Sequence, residues 1–486
     1  MEPTDIVKFG ILALYVCLTF GLSWIGMRKT RGMASFAIGN RDMGPVLIGI
    51  TMAASIASGA TFIINPGFVY TDGVSAFLHY GVAAPLGILA ALVVLTKGFR
   101  RLGEKNGALT IPHWIRNRYG SPGLALFFAA VNLVSFTFLV LIVVGSSYVL
   151  MTLLDLSYHA CLVGILAFVL SYVLLGGTYA HAYTNAFQGA MMVGVSLFIA
   201  GFGLLRMEGG FAENLAAISE NYAAVINPGS VLYNSVFSIF VSGFFITAAL
   251  MFQPHILTKV LYLKRDEDVN RFLLTAFLVG SCFSLMLLVG FFARFDGMAL
   301  GNPNLTVAAW TNTVFSAEGT WGAMVLVLIS VTLFAASMST VDGMLVALSA
   351  MIVNDLYTPF AGDRPSEARG LLLSRVVLVL LALGVAAVAW TPEALGDVGI
   401  FAQIGVYGLA AASFVPVVFG TVIPGAIPSW IMGTAAAIGF GGHYLLRWGA
   451  GIPNPAVSAC WSLFAAAATA LVLLLVTRGG RLGLRS

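Results

Sequence analysis

Between residues 5 and 477 the chain returns repeatedly to apolar stretches long enough to cross a bilayer. A transmembrane helix needs about 20 predominantly apolar residues, and about thirteen stretches qualify. They are 5–27, 44–70, 74–97, 124–153, 158–176, 183–206, 233–258, 271–294, 320–354, 371–391, 398–422, 426–447 and 455–477. In hydrocarbon every backbone N–H and C=O must be satisfied within the protein, so segments that face lipid are helices. The fold class is therefore an all-α polytopic membrane protein with about 13 transmembrane helices. With 59% of residues hydrophobic and 9% charged, the composition excludes an ordinary soluble enzyme. No linker or low-complexity run interrupts the series, so residues 1–486 read as a single transport domain.

The segment 5–27 is too long for a signal-peptide core and lacks a small-residue cleavage site, so it reads as the first helix. Cys17, Cys161, Cys282 and Cys460 all fall in apolar stretches without CxxC spacing, as small buried hydrophobes do. The net charge of +4 reports orientation rather than nucleic-acid binding. With the N-terminus outside, the inner loops collect Arg28, Lys29, Arg31 and Arg41; Lys97, Arg100, Arg101, Lys105, Arg116 and Arg118; and Lys259, Lys264, Arg265 and Arg271. Arg364, Arg369 and Arg375, and the tail residues Arg478, Arg481 and Arg485, continue the pattern. The outer loops keep Arg206, Arg294 and Arg447. Basic residues favour the cytoplasmic side, which predicts a multi-pass plasma (inner) membrane protein with its N-terminus outside and its C-terminus in the cytoplasm. The basic loop 97–120, with Pro112 near a short helix start, reads as an amphipathic helix at the lipid headgroups.

Two segments are not built like simple membrane helices. The second contains AASIASGATFIINPG (53–67), with Ser55, Ser58, Gly59, Thr61, Asn65, Pro66 and Gly67 crowded together. The seventh contains SGFFITAALMFQPH (242–255), which also starts with Ser-Gly and ends in a proline, then His255. Glycine and proline break helices, and small hydroxyl residues replace lost backbone bonds. Interrupted helices at matching places of two halves mark an inverted repeat whose freed carbonyls and half-helix ends bind ions and solute near the midplane. The predicted plan is one extra first helix (5–27), two five-helix repeats (44–206 and 233–422) and two C-terminal helices (426–477).

The ninth segment carries the clearest chemistry, in AASMSTVDGMLVALSAMIVNDLY (335–357). Residues three and four apart share a helix face, so Ala336, Ser339, Asp342 and Gly343 align, and Thr340 lies one turn beyond Ala336. Hydroxyls, a carboxylate and a carbonyl are hard oxygen donors that suit a hard cation. Freed carbonyls around Ala54 and Ala57 of the broken second segment could close a cage for Na⁺. Asp342 lies well inside its segment, where a carboxylate costs about 2.5–3.5 kcal/mol and marks an ion or proton path. No Lys or Arg stands mid-segment to neutralise it, and none of the six histidines has an evident acidic partner in the sequence.

These stretches, with FAIGNRDMGPVLIGITMAASIASGATF (36–62), LLGGTYAHAYTNAFQG (174–189) and FQPHILTKVLYLKRDED (252–268), resemble the sodium:solute symporter family over essentially the whole chain. The resemblance implies a LeuT-like fold with an extra leading helix. It also implies a Na⁺ site made by carbonyls of Ala54, Ala57 and Ala336 and hydroxyls of Ser339 and Thr340. Solute would sit beside it, with Ser58, Thr61, His79, Tyr80, Thr247, His255 and Gln403 as candidate contacts. Many members carry Thr-Asp-x-x-Gln at the start of the sixth segment, where this chain reads Thr184-Asn185-Ala186-Phe187-Gln188. The position of Asp342 is commonly small or hydroxylic in the family. A carboxylate relocated from the sixth to the ninth segment would make Asp342, with Asn185 and Thr184, a second cation or proton site.

The function implied is Na⁺-coupled symport of a small organic solute by alternating access, with no covalent step and no organic cofactor. The Gln253-Pro254-His255 stretch is similar to that of members carrying acetate, other monocarboxylates or pantothenate, which favours a small organic acid. An amino acid, amine or other neutral or cationic solute, driven by Na⁺ or H⁺, is the alternative, with Asp342 as a counter-ion; a transporter-like sensor is a remote one. The expected partners are the solute and the lipid bilayer, with no nucleic acid, and the chain is expected to work as a monomer.

Overall fold

The computed structural model describes residues 3–105, 107–316, 318–361 and 366–482. Arg364 and Arg485, counted in the charge asymmetry, lie outside them. Among the described residues nine helices are long and apolar enough to cross a bilayer, or up to eleven if each of two bent pairs makes one crossing. The fold is all-helical, with one isolated backbone bridge, Met43 to Leu263. The count is below thirteen because two apolar stretches yield short helices. Tyr158–Leu174 falls under spanning length, and Ser429–Tyr444 has 16 residues before the chain widens into a π turn.

Both expected breaks are present. Pro45–Ile56 and Ala60–Asp72 meet at 52°. Ala57 leaves the helix with ψ 68°, and the Ser58 hydroxyl accepts from the Ala60 N–H at 3.2 Å to restart it. Phe237–Leu250 and Pro254–Tyr262 meet at 63°, with Gln253 extended and Pro254 opening the second half. Proline suits a first helical turn because its missing N–H would be orphaned there anyway. Lys259, assigned to a loop from the sequence, instead lies within that second half and is fully buried. The apolar run ends near residue 258, but the helix continues inside the protein.

The break expected between the fifth and sixth segments is tighter than their spacing predicts. The fifth and sixth segments join without a loop, and the chain reverses at Gly177 (φ 52°, ψ −137°). That region is essentially closed to residues with a Cβ, and the Phe36 ring lies 2.4 Å from where one would stand.

The basic loop 97–120 holds the expected short helix, Ile111–Tyr119, which packs on protein. Thr110 caps it, and Ile111, Trp114 and Ile115 are buried. Trp114 stacks on Phe99 at 4.9 Å. Arg118 donates to the carbonyls of Gly420 (2.6 Å) and Ile423 (2.9 Å), satisfying the end of Val398–Val422. The helix docks on protein, and Arg118 has protein partners, while Arg116 is exposed.

The span Gly319–Tyr357 sits at the centre: 78% of its most apolar window is buried, against 22% for the neighbouring Glu367–Ala389. Its polar residues therefore face other helices rather than lipid.

Candidate functional site

The break in the second segment abuts the ninth segment through a knot of oxygen atoms. Ser339 Oγ lies 2.9 Å from the Ala54 carbonyl oxygen and 2.7 Å from that of Ala336. Thr340 Oγ1 donates to the Ser55 carbonyl at 3.2 Å. The Ser55 hydroxyl donates to the Ser339 carbonyl at 3.2 Å. Asn185, from the sixth segment, donates to the same carbonyl (2.7 Å) and to Ser55 Oγ (3.0 Å). Each of these residues is at most 1% exposed. Ala54, Ala336, Ser339 and Thr340 are thus brought together, and Ala57 stands at the helix end beside them. Hydroxyl hydrogens hold the carbonyls at these distances. A bound cation would turn those hydrogens away and take the lone pairs, so the donor set fits Na⁺.

Ala57 and Ser55 also border a cavity of about 190 Å³. Of the candidate solute contacts, Ser58, Thr61, Tyr80, Thr247, His255 and Gln403 line it. His79 does not; it is buried, with Nδ1 on the carbonyls of Ser238 (3.0 Å) and Ile239 (3.1 Å). Tyr80 closes one wall, accepting from Tyr233 (3.0 Å) and Gln403 (3.3 Å) and stacking on Phe68 at 5.6 Å. The Thr247 hydroxyl donates to its own helix at Gly243 (2.6 Å) and reaches Ala84 (3.0 Å). Gln253 also lines the cavity and was missed by sequence reasoning. Its Oε1 and both ring nitrogens of His255 are buried without a partner. Buried polar groups are nearly always paired, so three unpartnered ones on two residues of one cavity wall call for an explanation. The signal was available: Gln253 begins the Gln-Pro-His stretch where the helix breaks.

Asp342 faces a different wall. It is fully buried, and Oδ1 accepts from His181 Nδ1 (2.8 Å) and from the Gly343 N–H (2.7 Å). Oδ2 accepts from the Tyr172 hydroxyl (3.1 Å) and, at the limit of contact, from Thr184 (3.5 Å). His181 is therefore the acidic residue's partner that sequence spacing did not reveal. Thr184 does reach Asp342, whereas Asn185 is turned to the oxygen knot. Asp342 is not among the cavity-lining residues. Lys259, expected in a loop, is buried within the protein near the end of the seventh segment.

The model of the sodium:solute symporter family matches residues 36–426. The high-affinity proline transporter PutP of Bacillus subtilis is 25% identical, over 76% of this chain and 78% of that protein. The sodium/pantothenate symporter of Haemophilus influenzae is 26% identical, over 88% of this chain and 89% of that protein. Among solved structures, a substrate-bound, outward-open Na⁺-coupled sialic acid symporter superposes with TM-score 0.76 at 16% identity, covering 96% of this chain and 97% of that one. MhsT in complex with L-phenylalanine superposes with TM-score 0.57 at 15% identity, covering 88% and 98%. The match to the family model extends over most of the chain, and the helices share the LeuT-like arrangement of these neighbours. The chain belongs to the sodium:solute symporter family and is a Na⁺-coupled solute transporter of the multi-pass membrane type, not an enzyme.

Proposed function

We propose that this transporter couples Na⁺, held by Ala54, Ala57, Ala336, Ser339 and Thr340, to uptake of a small organic acid of the monocarboxylate class. The observation that carries the substrate class is that Gln253 and His255, two residues of the wall of a mostly apolar cavity next to the oxygen knot, hold buried polar atoms with no protein partner. An imidazole N–H and the Gln253 amide suit a carboxylate's acceptor oxygens, and a Na⁺ close by lowers the cost of its charge. Ser58, Thr61, Tyr80, Thr247 and Gln403 complete the lining. Asp342 stands off this cavity, so it does not serve as counter-ion to a solute amine. A second reading, an amino acid, draws on one feature: the unpartnered Gln253 Oε1 is an acceptor that an ammonium group could use. The relatives named for proline and pantothenate both act on molecules that carry a carboxylate.

In this reading thirteen segments cross the membrane, with the N-terminus outside, and the two five-helix repeats rock around the site. A single chain suffices. Na⁺ entering from outside favours the outward-open state and orders the solute wall. Coupling requires only that both ligands favour the same states. One Na⁺ moved with a monocarboxylate carries no net charge, so the Na⁺ concentration gradient drives that step, and each further net positive charge moved through 100 mV would add about 2.3 kcal/mol.

A thermal-shift screen of monocarboxylates, amino acids and sugars in NaCl against KCl tests this reading. Na⁺-dependent stabilisation by monocarboxylates, followed by Na⁺-gradient-driven uptake in proteoliposomes, is expected. Stabilisation confined to amino acids would establish the second reading. Stabilisation confined to sugars would defeat both.

A further inference from the structure

Two spanning helices end at a groove that gathers positive charge. The spans Val74–Lys105 and Val398–Val422 both reach it, and so does the end of the short helix Ile111–Tyr119. The groove holds about 460 Å³. Arg101 and Lys105 line it from the third segment, Arg118 from the short helix, and Thr421 and Ile423 from the end of the eleventh. No Asp or Glu is among its lining residues.

The cations in this lining are not used up by the protein. Arg101 meets Asp266 through Nε alone, at 2.5 Å, and its side chain is 66% exposed. Arg118 donates through Nε and Nη2 to the carbonyls of Gly420, Ile423 and Gly425. Those partners are neutral, so its charge stays uncompensated. Lys105 is exposed. Among the described residues no carboxylate lies within ion-pair distance of Lys105 or Arg118. Thr421 holds a buried hydroxyl with no protein partner. The site therefore has charge and a donor to offer an anion.

The third segment indicates which kind of anion. Val93, Lys97, Arg101 and Lys105 recur one turn apart, and all four are exposed. Residues four apart lie on one helix face. An outward apolar stripe, with the exposed Val94 beside it, thus turns basic as the helix reaches the groove. Val422, at the end of the eleventh segment, is a second exposed apolar side chain next to the lining. A small soluble anion has no use for such a border. A phospholipid sets its phosphate among the cations and begins its acyl chains along the apolar stripe. Basic pockets between spanning helices on the cytoplasmic side suit anionic headgroups, and that leaflet carries a negative surface. In the orientation proposed above, this end of the bundle meets that leaflet.

We propose that this groove binds the phosphate of one anionic phospholipid, with Arg101, Lys105 and Arg118 as cationic contacts and the Thr421 hydroxyl as a neutral donor. The bound headgroup links the ends of the third and eleventh segments to the short helix. The inference is independent of the Na⁺ site and of the identity of the solute.

Melting of the purified full chain in detergent, titrated with dioctanoyl phosphatidylglycerol, dioctanoyl phosphatidylcholine or inorganic phosphate, reads the binding. Saturable stabilisation by the phosphatidylglycerol is expected, with one molecule retained per chain in native mass spectrometry. The zwitterionic phosphatidylcholine and inorganic phosphate should each need at least about tenfold higher concentrations. A basic residue beside a charged headgroup contributes about fivefold in affinity. Lys105→Gln should weaken binding by about that factor and Lys105→Glu by more. Thr421→Val keeps the side-chain shape and should cost about threefold. Lys97→Gln, on the same face but outside the lining, should change affinity by less than about twofold, because salt screens charges in open solvent. Each shift is taken against the same variant without lipid, so a folding defect does not imitate lost binding. Equal stabilisation by phosphatidylcholine would overturn the proposal. So would equal losses in Lys97→Gln and Lys105→Gln, which would mean diffuse attraction. Inorganic phosphate saturating as tightly as the lipid would replace the lipid with a free anion. Phosphatidylglycerol binding untouched by both Lys105→Glu and Thr421→Val would exclude this groove.

Discussion

The Ser339 hydroxyl rests 2.9 Å from the carbonyl of Ala54, joining residues 285 positions apart in the chain. This contact ties the central helix to the break in the second segment. If Na⁺ binds there as proposed, a hydrogen bond between the two would be exchanged for coordination, which would make the knot both a structural joint and an ion sensor. Hydrogen bonds to charged groups are worth about 1.5–3 kcal/mol. Ser339→Ala and Thr340→Val should therefore each weaken Na⁺ activation of uptake by about ten- to a hundred-fold. The Na⁺-free melting temperature should fall modestly as well, because each hydroxyl removed takes a donor from a carbonyl, at Ala54 or Ser55, that the helix break leaves without its usual partner. Uptake titrated against Na⁺ concentration checks the first effect, and melting checks the second.

Gln253 and His255 should behave oppositely to His79. Gln253→Leu and His255→Leu remove polar atoms that lack a protein partner. They should raise the solute KM by about tenfold or more while leaving Na⁺ binding and melting near wild type. His79→Ala frees two backbone carbonyls of the seventh segment, at Ser238 and Ile239, and should lower the melting temperature. Its effect on solute KM should be small in whatever folds. Paired KM and melting measurements on the three variants separate a binding residue from a brace.

The contrast between these residues shows where sequence reasoning reached and where it stopped. Local rules were enough for the breaks, since Ser58-Gly59 and Pro254 carry their conformations with them. Local spacing was also enough to set Ala336, Ser339 and Thr340 on a shared stretch of helix. It could not orient His79, because only the packing of the seventh segment against it puts its ring on the carbonyls of Ser238 and Ile239. His181 and Asp342 are 161 positions apart, and only the packing of two helices, one of them reversed at Gly177, brings them to 2.8 Å. Lys259 was hidden for another reason: it sits in a stretch with Lys264 and Arg265 whose composition matches a loop. The burial of that half-helix is a tertiary fact without a local signature.

At the end of the bundle carrying those basic residues, Asp266 ties the third segment to the seventh. It takes hydrogen bonds from Arg101, at 2.5 Å, and from the buried Arg100, which also donates to the carbonyls of Leu263 (3.2 Å) and Lys264 (2.7 Å). The Arg101 hydrogen bond, with help from Arg100, holds the Asp266 carboxyl below its ordinary value. A depressed folded value means that the tie adds stability above the unfolded carboxyl's titration range and loses it as pH falls through the folded value. Melting should therefore show no contribution from Asp266 to any change between about pH 6 and 8. Asp266→Asn should differ from wild type at neutral pH and converge on it in acid. Arg101 is largely exposed, so the difference should be small. Melting curves of both chains from about pH 8 down to about pH 3 are the check.

The last contact depends on an absent side chain. A Cβ on Gly343 would lie 2.6 Å from Cε1 of His181 and 3.0 Å from its Nε2. Gly343→Ala must therefore push the imidazole away from Asp342 and strip one of the four donors from the carboxylate. If His181 acts only through that contact, the two positions are not independent. Neighbouring residues that share one interaction give non-additive losses. Gly343→Ala and His181→Ala should each lower the melting temperature and slow Na⁺-driven uptake, and the double variant should be no worse than His181→Ala alone. The helix itself gives no reason for a loss, since alanine is the better helix former by about 1 kcal/mol. A double variant whose loss equals the sum of the two singles would show that glycine is needed at position 343 for something other than His181.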